Sequence, residues 1–216
     1  DSLELTKNIL STKYYFNNEE NYYTEEAIYI DKEKVINTSD IILKGTHNYE
    51  NILATYLVAK ILNIDFKYVN AVLKRFKGVE HRIEFVRELD GITYYNDSKS
   101  TNPTATITAL KSFPGSICLI LGGMERHQDF HDLTPYLDKI KKIYAIGETR
   151  SRIMDYAKEV NVPCEEFTTL KEAMPSIKKE AVNGDIVLLS PASASWDQYI
   201  KFEDRGNEFK NIVNNY

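Results

Sequence analysis

The segment "YYNDSKSTNPTAT" (94–106) places Asp97, Ser98, Lys99, Ser100, Thr101 and Asn102 side by side and follows them with Pro103. Proline suits the first turn of a helix, with Thr101 or Asn102 capping ahead of it, so these side chains surround a helix N-terminus. Free N–H groups and the helix dipole favour an anion there, and Lys99 adds a full positive charge. Two further stretches have the same character. "LILGGMERHQDF" (119–130) sets two glycines after an apolar run and then Arg126, whose guanidinium can grip a carboxylate or phosphate at two points. "LLSPASASWDQYIKFEDRGNEF" (188–209) sets small and hydroxyl residues after another apolar run. Small side chains at 192–195 leave room for a ligand to touch the backbone, and Ser195 reads as an N-cap. Each stretch alone is an ordinary cap or turn; the three together read as a binding crevice.

Other chemistries fit less well. His127 and His131 are four residues apart with Asp129 and Asp132 nearby, but no third ligand or HExxH glutamate accompanies them, so no metal is expected. The chain contains no GxSxG, GxGxxG or GxxxxGK[ST] pattern. A net charge of −5 and the lack of a basic stripe argue against nucleic acid. The two cysteines, Cys118 and Cys164, form no CxxC or zinc spacing and fit a reducing, cytoplasmic setting. No apolar run is long enough to span a bilayer, and the start does not read as a signal peptide. A first residue of Asp rather than Met suggests a fragment of a longer chain.

The elements that must hold these loops follow from periodicity. Residues 1–44 carry short β-branched or aromatic runs, "KYYF", "EAIYI" and "KVINTSDIIL", separated by polar turns, which predict strands. From Asn48 helical spacing takes over in two sets, Ile52 to Ile61 and Phe66 to Phe76, an αα pair with Asp65 capping the second helix and Gly78 ending it. A hinge is expected over 77–82. Beyond it the pattern is β-α-β-α, with strands at "GITYYN", "SICLILG", "KKIYAIG" and "DIVLLS". Helices are expected over 103–112, 132–139, 149–160, 170–182 and 197–213. Continuous apolar strands predict burial on both faces, hence an α/β, doubly wound, mostly parallel Rossmann-like sheet. Ligands of such sheets bind at the carboxyl ends of the strands, where all three loops lie.

Taken in order, "GTHNYEN", "KGVEHRIEFV", "YYNDSKSTNPTAT", "LILGGMERHQDF" and "LLSPASASWDQYIKFEDRGNEF" resemble the successive motifs of the Mur ligases, from about Gly45 to the end. Within that family the match is to members that add D-glutamate to UDP-N-acetylmuramoyl-L-alanine in peptidoglycan synthesis. The resemblance implies an ATP-dependent ligase using Mg2+, in which the substrate carboxylate is phosphorylated and the amine of D-glutamate attacks the acyl phosphate. It implies that 1–77 is the end of a central ATP-binding domain, with Asp1 closing an asparagine-aspartate stretch, and that 78–216 is the C-terminal amino-acid-binding domain. By the same resemblance Asn48, Asn51, Arg82 and Asp97 contact the nucleotide, while Lys99, Thr101, Arg126, Ser195 and Phe202 hold D-glutamate. Arg126 stands where some members carry lysine. The phosphate loop, magnesium ligands and modified lysine of the family would lie before Asp1, so this chain alone is expected to be inactive and to need the preceding segments as partners. A sibling ligase, a folylpolyglutamate synthetase-like ligase and a non-catalytic binding module are the alternatives.

Overall fold

The computed structural model describes residues 10–43 and 46–216, and of His47 the backbone alone. The chain divides into two compact units, Asp1–Lys77 and Gly78–Tyr216.

In the first unit three antiparallel strands, β1 (Tyr22–Tyr23), β2 (Ala27–Ile30) and β3 (Glu33–Asn37), form a small sheet. One of its faces packs on helices α1 (Thr46–Ile61) and α2 (Phe66–Leu73) through Ile28, Ile30, Ile36, Ile52, Leu53, Tyr56 and Leu73. The expected cap of α2 is present: the Asp65 carboxylate accepts the Lys67 N–H at 2.9 Å. "KYYF" is not a strand, and "KVINTSDIIL" leaves the sheet at Asn37 for a short 3₁₀ turn, Thr38–Asp40. Gly45, where the family resemblance starts, and Asp1, expected to close an asparagine-aspartate stretch, lie outside the described residues.

The second unit is built on a six-stranded sheet in the order β4-β5-β9-β6-β7-β8. The predicted strands are β5 (Ile92–Asn96), β6 (Ile117–Gly122), β7 (Ile140–Ile146) and β9 (Ile186–Leu189). All four pair in parallel, and every residue of β6 and β9 is buried, as continuous apolar runs require. Two edge strands complete the sheet: β4 (Glu84–Leu89), antiparallel with a register shift between Phe85 and Arg87, and β8 (Cys164–Glu166). One face is covered by α3 (Pro103–Lys111), a 3₁₀ helix (Phe130–Lys139) and α4 (Arg150–Glu159); the other by α5 (Leu170–Glu180) and α6 (Phe202–Asn214). The expected helix over 132–139 is thus a 3₁₀ helix, with Pro135 inside it. The pattern read from 197 becomes an α-helix only at Phe202, and 190–201 is a connection with a single turn over 196–198, closed by Gln198 and Tyr199 N–H donating to the Ser195 carbonyl.

Because β9 lies between β5 and β6, the loops that follow these three strands emerge side by side. Such neighbouring carboxyl ends, where the strand order departs from chain order, are where doubly wound sheets form ligand crevices.

Candidate functional site

The loop after β5 is held from below by buried side chains. Asn96 donates to the Glu84 carboxylate at 3.0 Å, lies 2.9 Å from His81 Nδ1, and accepts the Ser98 N–H at 3.1 Å. The Asp97 N–H donates to the Leu189 carbonyl at 2.7 Å. Its carboxylate, 2% exposed, accepts the Ser190 hydroxyl at 2.7 Å, the Ser100 hydroxyl and the Ile83 N–H at 3.1 Å. Burial pushes the Asp97 carboxyl up to about 6, with those hydrogen bonds and the Arg82 charge opposing the shift. With Asn102 accepting the Ala105 N–H at 3.0 Å and Pro103 in the first turn of α3, the anion-suited helix start forms as the spacing predicts. Lys99 is exposed, its ammonium 5.9 Å from the Phe202 ring, and its backbone N–H is fixed to the His81 carbonyl at 3.1 Å. Thr101 is half-buried beside it.

The loops after β6 and β9 are zipped together by main chain. Gly122 N–H donates to Pro191 O and Met124 N–H to Ala194 O, both at 2.8 Å. Gly123 has φ +149°, and a Cβ there would fall on the Ala194 carbonyl oxygen. The glycine therefore admits another strand-end loop rather than a ligand. Gln128 donates to the Ser193 hydroxyl, and Arg152 braces the same loop by a two-pronged ion pair to Glu125 with 2.9 Å arms. Arg126 is exposed, its guanidinium 5.6 Å from the ring of Trp196. Ser195, expected as an N-cap, caps nothing: α6 begins seven residues later, after Lys201. Its hydroxyl is instead buried and has no hydrogen-bond partner among the described residues. A buried hydroxyl without a partner costs about 1–3 kcal/mol. Here it lies in the loop after β9, the strand that runs between β5 and β6.

One residue of this architecture was not singled out in the sequence. Arg205, in the first turn of α6, is 1% exposed and reaches the carbonyls of Ser98 (2.9 Å), Ser193 (3.1 Å) and Ala194 (3.5 Å) and the Ser98 hydroxyl (3.0 Å). Burial lowers its guanidinium to about 10, and the Asp197 charge opposes that shift. A signal existed: Arg205, Phe209 and Val213 are four apart, and all three are buried on one helix face. His81, quoted only within a motif, is also buried, its ring 6.0 Å from Phe202.

The remaining candidates divide between the units. Lys99, Thr101, Arg126, Ser195, Phe202, Asp97 and Arg82 all belong to the second, with Arg82 exposed. Asn48 and Asn51 belong to the first, in the first two turns of α1. His127 points to solvent, whereas His131 pairs with Asp129 at 2.9 Å and Glu159 at 3.3 Å. Those two carboxylates raise the His131 imidazole. Among the described residues no three His, Cys, Asp or Glu side chains converge as a metal site would need.

Residues 81–193 match the family model described as Mur ligase, glutamate ligase domain. A curated relative from Bacillus mycoides (strain KBAB4), named UDP-N-acetylmuramoylalanine–D-glutamate ligase, is 42% identical over 193 residues, which is 89% of this chain and 43% of the relative. One of the same name from Bacillus cereus (strain AH187) is 43% identical over 190 residues, covering 88% and 42%. The chain thus spans less than half the length of these relatives. Among solved structures, MurF from Acinetobacter baumannii superposes with TM-score 0.67 at 16% identity, covering 90% of this chain and 46% of that one. E. coli FolC in complex with DHPP and ADP gives 0.63 at 15%, covering 91% and 47%. At such identities the likeness is one of fold.

Proposed function

Because the chain belongs to the Mur ligase family, we propose that it forms the amino-acid-binding end of an ATP-dependent ligase joining D-glutamate to UDP-N-acetylmuramoyl-L-alanine. The observation that carries this reading is the partnerless Ser195 hydroxyl, buried where the loops after β5, β6 and β9 meet. D-Glutamate brings two carboxylates. In this proposal one meets Lys99, Thr101 and the N-terminus of α3, and the other meets Ser195 and Arg126, with Phe202 walling the side. Both relatives' names specify D-glutamate, which favours it over the amino acids of sibling or folylpolyglutamate ligases.

No group here is offered as a strong acid or base. The amine of D-glutamate attacks the acyl phosphate of the other substrate, the new C–N bond forms, and inorganic phosphate leaves with the C–O bond electrons. The site's part is to hold the amine in line and to neutralise charge. ATP would supply the phosphoryl group, with Asn48, Asn51 and Arg82 assigned to its adenosine end. Asp97 contributes only its remaining lone pair, because three hydrogen bonds already occupy the carboxylate. Among the described residues no cluster of His, Cys, Asp or Glu side chains would hold magnesium.

Calorimetric titration of the chain with D-glutamate, L-glutamate and a diamino acid tests the reading. Saturable binding that favours D-glutamate is expected; equal or better binding of either competitor would overturn the specificity.

A further inference from the structure

We propose that Arg205 is the positioning residue of the amino-acid site, tying the strand-end loops together from beneath so that Lys99, Thr101 and Ser195 face one ligand. It rests on the reading of those loops as a D-glutamate site. Three observations support it. The guanidinium touches residues from two of the loops at four oxygens: Ser98 after β5, and Ser193 and Ala194 after β9. It also lies directly under the third, since a Cβ on Gly123 would come 3.0 Å from Nη1. Finally, the Ser98 hydroxyl that accepts from Arg205 Nε donates onward to the Phe202 carbonyl at 2.8 Å. One side chain therefore sets the spacing of the lysine loop, the serine loop and the start of α6.

Its chemistry supports the same role. All four acceptors are hydroxyl or carbonyl oxygens, none a carboxylate. A cation buried among neutral dipoles is costly unless an anion comes near. Asp197 supplies one such charge, and the two carboxylates of a D-glutamate seated above Ser195 would supply more. Lysine could not substitute, because an ammonium cannot present donors in the planar fork that spans Ser98 and Ser193.

The test follows Trp196, the chain's only tryptophan and the neighbour of Ser195, by fluorescence during titration with D- and L-glutamate. In Arg205→Lys, held well below its own unfolding transition, D-glutamate affinity is expected to fall about tenfold or more, with the preference for D over L shrinking severalfold. A purely structural role would lower the melting temperature and leave that preference intact. Ser98→Ala removes one of the four acceptors and leaves the guanidinium the other three, and keeps the question answerable where Arg205→Lys does not fold; it is expected to lose affinity several-fold with the same erosion of preference. Folded variants that hold both quantities within about twofold of the parent would overturn the proposal while the D-glutamate reading stands. A parent chain without any saturable response to D-glutamate would instead remove that reading and this proposal with it.

Discussion

At the scale of single residues, the buried hydroxyl and the buried carboxylate of the crevice make opposite predictions. The Ser195 hydroxyl has no hydrogen-bond partner among the described residues, so Ser195→Ala should leave urea stability unchanged within about 0.5 kcal/mol or raise it slightly. The same substitution should weaken D-glutamate about tenfold, as loss of a hydrogen bond to a charged group would. A variant destabilised by several kcal/mol with unaltered affinity would make Ser195 a structural residue. Asp97 predicts a pH dependence. Its folded value of about 6 lies above the unfolded 3.8, so the native state binds more protons between them. Its stabilising contribution is therefore fully present below the unfolded value and is lost as pH rises through about 6, with an upper bound near ~3 kcal/mol. Comparing urea midpoints of parent and Asp97→Asn from about pH 4 to 7.5 isolates this group: the parent should gain on the variant as pH falls. Parallel curves would contradict it. What the sequence concealed at this scale has one cause. Ser195 looked like a cap because a small hydroxyl preceded a helical pattern, and Arg205 went unremarked inside a charged run of the motif. Only the three-dimensional closure of the loops corrects the first and brings out the second.

At the scale of elements, the approach of the loops after β6 and β9 depends on one backbone position. Gly123→Ala should cost about 3 kcal/mol or more in urea unfolding, because the methyl meets the Ala194 carbonyl and the conformation itself resists a side chain. Gly184, with φ +92° but nothing within 4 Å of its would-be Cβ, supplies the control, and Gly184→Ala should cost only about 1 kcal/mol of backbone strain. Equal costs would show that the loops do not touch as described. The central strands were legible because burial on both faces writes continuous apolar runs into β6 and β9. β4 escaped notice because its alternation is broken by charge at Glu84, Arg87 and Glu88, and β8 because three residues carry no period. The insertion of β9 between β5 and β6 pairs segments from about seventy to over ninety residues apart, which no local pattern encodes.

At the scale of the whole molecule, each unit has its own core: among the described residues the second buries apolar side chains on both faces of its sheet, while the first has a single cluster. Unfolding in urea should therefore proceed in two steps, with the smaller unit first. Trp196 reports on the second unit alone, so its fluorescence transition should fall at higher urea than the first step seen by far-ultraviolet circular dichroism. Coincident single transitions would show that the units unfold as one. The margins of the larger sheet have a further consequence. One is the short β8, with Glu165 and Glu166; the other is β4, charged along its length and offset between Phe85 and Arg87. A flat, apolar margin would recruit strands from other molecules into a growing fibril. With one margin three residues long and the other charged and kinked, crowding many copies together leaves the sheet at six strands.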